Sequence, residues 1–183
     1  MQTFPVHTIE SAPEQSKPSL QMLQRAFGMI PNIAGAVSTS PVLIGSLVGL
    51  FQKVHDGSFS EEQIQVVLLT NAVANGCAWA VAFHTALALK EGVEPADVQA
   101  IRERQTPRNP KSAALSRLAR ELIEKRGRLD DVDVSRFMEV GFDEARLLEV
   151  IAVVAASTIT NYAGNVTRPP VEAAFEAYAW SAE

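Results

Sequence analysis

Residues 63–89 carry no formal charge, and two further windows, 26–51 and 150–167, are equally bare. A helix without a charged face must be covered on every side, so in a water-soluble chain such segments sit mid-core or against another subunit. A membrane span is the alternative. Each window is too polar for hydrocarbon: the first holds Pro31, Asn32 and Pro41, the second Gln63, Gln65, Asn71, Asn75 and His84, the third Thr158, Thr160, Asn161 and Asn165. The expectation is a soluble oligomer with no membrane partner. With 183 residues, 47% of them hydrophobic and 20% charged, the chain is long enough to bury its own core as one domain over 1–183.

Charge and cysteine usage narrow the class further. Sixteen basic against 21 acidic residues leave a net charge of -5 with no basic cluster, which argues against a nucleic-acid partner. Cys77 is the single cysteine, so neither an intrachain disulfide nor a cysteine-based zinc site can form. The start, MQTFPVHTIESAPEQ, lacks the basic residues and apolar run of a signal peptide, and the expected location is the cytoplasm. No H-x-x-x-H, H-E-x-x-H or carboxylate cluster suggests a metal, and no cofactor is expected.

Helical spacing and punctuation predict an all-α chain. Residues 1–17 read as an extended arm. Ser19 is placed to cap LQMLQRAFGM, Gly28 and Pro31 stop it, and 32–37 form a short turn or helix. Ser40-Pro41 starts a helix to about His55. Ser60-Glu61-Glu62-Gln63 fits a capping box, with Phe59 as the staple, and opens a helix that Asn75-Gly76 interrupts. A second helix runs from about Cys77 to Lys90. Further helices are predicted from Pro95 to Arg104, Ser112 to Arg126 and Val134 to Val140, with QTPRNP as loop. Asp143 caps a long segment closed by Gly164 and Pro169-Pro170, and VEAAFEAYAW adds a last turn or two.

The chemistry is concentrated between 60 and 89. A thiol just after a helix break meets unpaired N–H groups and the positive end of the helix dipole, both of which favour thiolate. Cys77 and His84 are seven residues apart, about 700° of helical rotation, so they share a face but lie roughly 10 Å apart along the axis. That is too far for a direct hydrogen bond. Ala80 lies between them on the same face.

The run Asn75-Gly76-Cys77-Ala78-Trp79-Ala80-Val81-Ala82-Phe83-His84 resembles the core motif of the AhpD-like alkylhydroperoxidase and carboxymuconolactone decarboxylase superfamily, N-G-C-x-(aromatic or His)-C-x-x-x-H. The likeness to its peroxidase-related branch extends over roughly 20–170, through Phe27-Gly28, Pro31-Asn32, Ser40-Pro41, Ser60 to Leu69, and Val150 to Tyr162. The resemblance implies an AhpD-like helical bundle, a trimer or hexamer, and antioxidant peroxidase chemistry. It also implies a proton relay of one glutamate, two cysteines and the histidine. This chain keeps half of that set: Cys77 and His84 stand in place, but Ala80 replaces the second cysteine and Gln65 the glutamate twelve residues before the first. A glutamine holds a hydrogen bond but takes no proton near neutral pH. With one thiol per chain, a peroxidase cycle through an internal disulfide is closed.

Three readings stay open. In one, Cys77 attacks a hydroperoxide and an external thiol reductant resolves it. In the second, the protein is a decarboxylase-like enzyme in which His84 acts as acid or base on a small carboxylate or lactone, with Ala80 leaving room for it. The third is a helical binding or assembly subunit without catalysis. Taken singly, each residue has a plain structural role as well. Cys77 can be a buried small hydrophobe, His84 a satisfied core histidine, and Gln65 a structural partner. Trp79, Phe83 and Tyr162 can be core or pocket wall, Glu61 and Glu62 dipole partners, and His7 and His55 solvated or capping groups.

Overall fold

At the centre of the molecule lies a helix whose every residue from Ile64 to Val73 is buried, as its uncharged sequence demands. It belongs to a computed structural model that describes residues 4–181. The helices are α1 (Lys17–Phe27), α2 (Asn32–Val37), α3 (Pro41–His55), α4 (Glu61–Ala74), α5 (Ala78–Lys90), α6 (Pro95–Arg102), α7 (Pro110–Glu124), α8 (Asp131–Met138) and α9 (Glu144–Thr167). Single 3-10 segments, Glu14–Ser16 and Ala173–Tyr178, flank them, and no strand occurs among the described residues. Helix α4 is surrounded by α5, α6, α7 and α9, while α3 and α2 close the far side of α9.

The joint between α4 and α5 positions the site. Ser60 accepts from the Gln63 N–H and Gln63 returns the bond to Ser60 N–H, so α4 starts with a complete capping box. It ends at Asn75, with Gly76 left-handed at φ 62°. The Cys77 N–H reaches back to Ala72 O at 3.0 Å and the Gly76 N–H to Val73 O at 3.2 Å, the paired bonds of a Schellman motif. Only a residue tolerant of positive φ makes that turn cheaply, and it leaves Cys77 as the N-cap of α5.

Several helix limits differ from the sequence expectation. Helix α1 begins at Lys17, with Ser16 at the cap position and Ser19 inside the helix, because Pro18 occupies the first turn, where its missing N–H costs nothing. Asn109 caps α7 two residues earlier than expected by accepting from the Lys111 and Ser112 N–H groups. Asp130 builds a capping box that starts α8 at Asp131 rather than Val134. Helix α9 continues through Gly164 to Thr167 and is stopped by Arg168, left-handed at φ 49°, before the prolines.

The N-terminal arm lies across α2, where the His7 N–H donates to Gly35 O at 3.2 Å; a Cβ at position 35 would sit 2.7 Å from His7 O. The first three residues of the expected arm fall outside the described residues. Helix α9 is long and apolar enough, by length and composition, to cross a membrane. In the fold it is a core helix that buries Val150, Val153, Ala156, Thr160 and Gly164 and leaves Leu148, Ile151, Tyr162 and Val166 exposed.

Candidate functional site

Helices α3, α4 and α5, with α1 and α2, enclose a cavity of about 520 Å³. Its walls are apolar, with Leu23, Phe27, Ile33, Leu47, Leu68 and Leu87 among them, and Trp79 and Phe83 form an aromatic plate. The two rings stack at 4.9 Å between centroids, and Phe83 meets Phe27 and Phe175 edge-on. Such a pocket suits a compact ring or short apolar chain.

Two of the three central residues from the sequence meet here. The Gln65 carbonyl accepts from His84 Nδ1–H at 3.0 Å, and both side chains are buried. Since a carbonyl oxygen only accepts, the ring proton resides on Nδ1 and Nε2 keeps its lone pair. Burial, with a smaller contribution from His55, lowers the His84 pKa to about 3, so the imidazole is neutral at physiological pH. It is therefore a standing hydrogen-bond acceptor. An acid role in the free protein, one half of the sequence expectation, would require an imidazolium that the site does not hold.

Cys77 is elsewhere. It is 1% exposed and lines a second cleft of about 350 Å³ with Gly76, Gly164, Asn165, Arg168 and Pro169, while Trp79 separates the two spaces and borders both. No hydrogen bond joins Cys77 to His84 or Gln65 among the described residues. A position at the helix start favours thiolate. Trp79 and Ala80 N–H groups do pull that way, although the sulfur caps neither at hydrogen-bond distance. Burial outweighs them and pushes the thiol up. Gly164 explains how the sulfur fits: a Cβ there would lie 2.7 Å from Cys77 Sγ, so the glycine lets α9 pass close to the start of α5.

The remaining expectations divide. Trp79 and Phe83 line the large cavity, whereas Ala80, expected in its wall, is fully buried in the core cluster and borders neither space. Tyr162, expected as core or pocket wall, is 60% exposed on α9. Two groups were missed. Glu172 is buried and accepts from Trp79 Nε1–H at 2.9 Å and from Asn32 N–H at 2.6 Å, fixing the indole against the C-terminal segment. His55 does not cap its own helix: His55 Nδ1 lies 2.9 Å from Glu61 Oε1, and both residues stand at the rim of the large cavity. The six-residue spacing across the α3–α4 corner was the available signal. Among the described residues, no group of three His, Cys, Asp or Glu side chains could hold a metal.

This arrangement of helices is an AhpD-like fold. The structure is similar to the AhpD core of an uncharacterized peroxidase-related protein from Ralstonia eutropha JMP134, with TM-score 0.83 and 16% identity over 94% of this chain and 93% of that one. It is similar to the debrominase Bmp8 at TM-score 0.80 and 20% identity, covering 97% and 96%. A Bmp8 cysteine-to-alanine variant has been crystallised with 2,3,4-tribromopyrrole, and its likeness is 0.80 at 19% identity. Identities this low establish the fold alone. Residues 47–121, spanning most of α3 through α7, match the model of the carboxymuconolactone decarboxylase family. No curated protein matches the chain.

Proposed function

We propose that the chain is a small-molecule enzyme whose ligand site is the large cavity and whose polar anchor is His84. The supporting observation is the Gln65–His84 bond, which fixes Nδ1–H on the carbonyl and leaves Nε2 without a protein partner at a cavity-lining residue. A ligand suited to that acceptor is compact, mainly apolar, and carries one N–H or O–H group. Gln65 cannot accept the proton onward, so His84 orients the ligand and does not relay protons through α4.

The antioxidant peroxidase reading has weaker support. It requires an accessible, readily ionised thiol, and Cys77 is buried with its ionisation disfavoured. A thiol-dependent reading in which an external reductant reaches Cys77 keeps one favourable observation, the cleft that opens beside the sulfur. The debrominase neighbour makes 2,3,4-tribromopyrrole a sensible probe, since it joins a compact apolar ring to one N–H donor. Titration followed by Trp79 fluorescence should show saturable quenching, weakened in His84→Gln and kept in Cys77→Ala. Quenching unaffected by His84→Gln, or abolished by Cys77→Ala, would move the site to the thiol cleft.

Self-association belongs to the same reading. Leu148, Ile151, Tyr162 and Val166 form an exposed apolar side on α9, which we infer is covered by another copy.

A further inference from the structure

Resting on the reading that the large cavity is the ligand site, we propose that proton transfer to and from a bound ligand is carried by His55 and Glu61 at the cavity mouth. The position one relay carboxylate would occupy is neutral Gln65, but Glu61 stands one turn earlier on the same face of α4, four residues before it. It brings its own imidazole. Glu61 Oε1 accepts from His55 Nδ1–H at 2.9 Å, which leaves His55 Nε2 as the open lone pair. Both residues line the same cavity as Gln65 and His84.

The contrast between the two imidazoles is one of surroundings. His84 is 4% exposed and bonded to a neutral amide rather than a carboxylate. The His55 side chain is 37% exposed, is bonded to a carboxylate, and stacks on Phe51 at 6.2 Å between ring centroids. An imidazole open to water and paired with a carboxylate can take a proton, hold the charge, and return it to solvent. Other charged groups around the mouth are Asp56, Lys90 and Glu91, with Lys90 and Glu91 3.4 Å apart. The step is a proton transfer only. The ligand's O–H or N–H bond breaks, its electron pair stays on the ligand, a new N–H bond forms at His55 Nε2, and the imidazolium is held by Glu61 until water removes the proton.

The test uses 4-nitrophenol, an apolar ring with one ionisable O–H whose phenolate absorbs at a different wavelength from the phenol. Trp79 quenching that is weakened in His84→Gln and kept in Cys77→Ala reports occupancy of the large cavity rather than the cleft, and absorbance reports how much of the bound probe is ionised across a pH series. In the full-length protein, His55→Gln should bind the probe but shift its ionisation upward by about one pH unit, a roughly tenfold lower ratio of phenolate to phenol, as expected when an imidazolium is lost and the Glu61 carboxylate is left facing the phenolate, whereas Glu61→Gln, which removes that carboxylate, should not produce this upward shift. Glu62→Gln, an equal charge change outside the lining, should not shift it, and Lys90→Gln measures the contribution of the other cation. Binding with ionisation unchanged in His55→Gln overturns the pair's role and leaves the cavity reading intact. No quenching of the unsubstituted protein overturns the cavity reading and this proposal with it.

Discussion

Replacing Gln65 by glutamate should return a carboxylate to the buried imidazole and raise its pKa by a measurable, calculable amount. The present partner is a neutral carbonyl 3.0 Å from His84 Nδ1, and His84 titrates at about 3. With the charge centres about 4 Å apart and an effective dielectric of about 20, attraction to imidazolium is worth about 4 kcal/mol, which is about 3 pH units. Burial of the new carboxylate opposes part of this, since position 65 is 3% exposed. The net expectation is a rise of about 2 units, to about 5, with the two groups titrating as a pair. Long-range proton–nitrogen NMR on the three histidines reads this directly, because His7 and His55 serve as internal references. A His84 titration that stays at its original position, or falls, would show that the 65–84 contact does not govern the imidazole.

Other expectations follow from the same geometry. Because the folded-state pKa of His84 lies below the ordinary 6.5, the unfolded chain binds its proton first, and stability falls as pH drops from 6.5 towards 3. From this residue alone the loss should be about 2 kcal/mol at pH 5, measured by denaturant unfolding; His84→Gln should flatten that slope, and an equal slope in the variant would refute the assignment. Gly164→Ala places a methyl against Cys77 Sγ. Overpacking costs about 1–3 kcal/mol against a gain of about 1 kcal/mol in helix propensity, so a net loss of about 1 kcal/mol is expected, reversed when combined with Cys77→Ala. Hydroperoxide supplied without any added thiol should be consumed at Cys77 to no more than about three equivalents per chain and without turnover, since a lone sulfur can only climb from thiol through sulfenic and sulfinic to sulfonic acid. Val166→Glu or Leu148→Glu should lower the mass measured by light scattering; an unsubstituted protein already monomeric would contradict the α9 interface.

What the sequence disclosed, and what it concealed, follows the range of the interactions. The Ser60 capping box and the Asn75-Gly76 turn are local, and they carried the α4–α5 joint from the sequence intact. The starts of α1 and α7 lie earlier than their sequence expectation because Pro18 and Pro110 each sit inside a first turn, where a missing N–H costs nothing. Gly164 looked like a helix terminator, yet its lack of a side chain serves the approach to Cys77. Within the site, 65 and 84 pair across two helices in a way that helical periodicity along α5 alone could not reveal. That periodicity put Cys77 and His84 on one face, but the intervening Trp79 indole, pinned by Glu172, places them on different spaces. The His55–Glu61 pair spans a corner, and no periodic pattern reaches around a corner.

Two neighbouring spaces, the large cavity and the Cys77 cleft, compete for the ligand. A crystal structure of the protein soaked with 2,3,4-tribromopyrrole decides it, because anomalous scattering from bromine locates the ring without ambiguity. The expected result is bromine density beside Trp79 and Phe83, with the pyrrole N–H directed at His84 Nε2. Density in the cleft between Cys77 and Gly164, with the larger cavity unfilled, would contradict it.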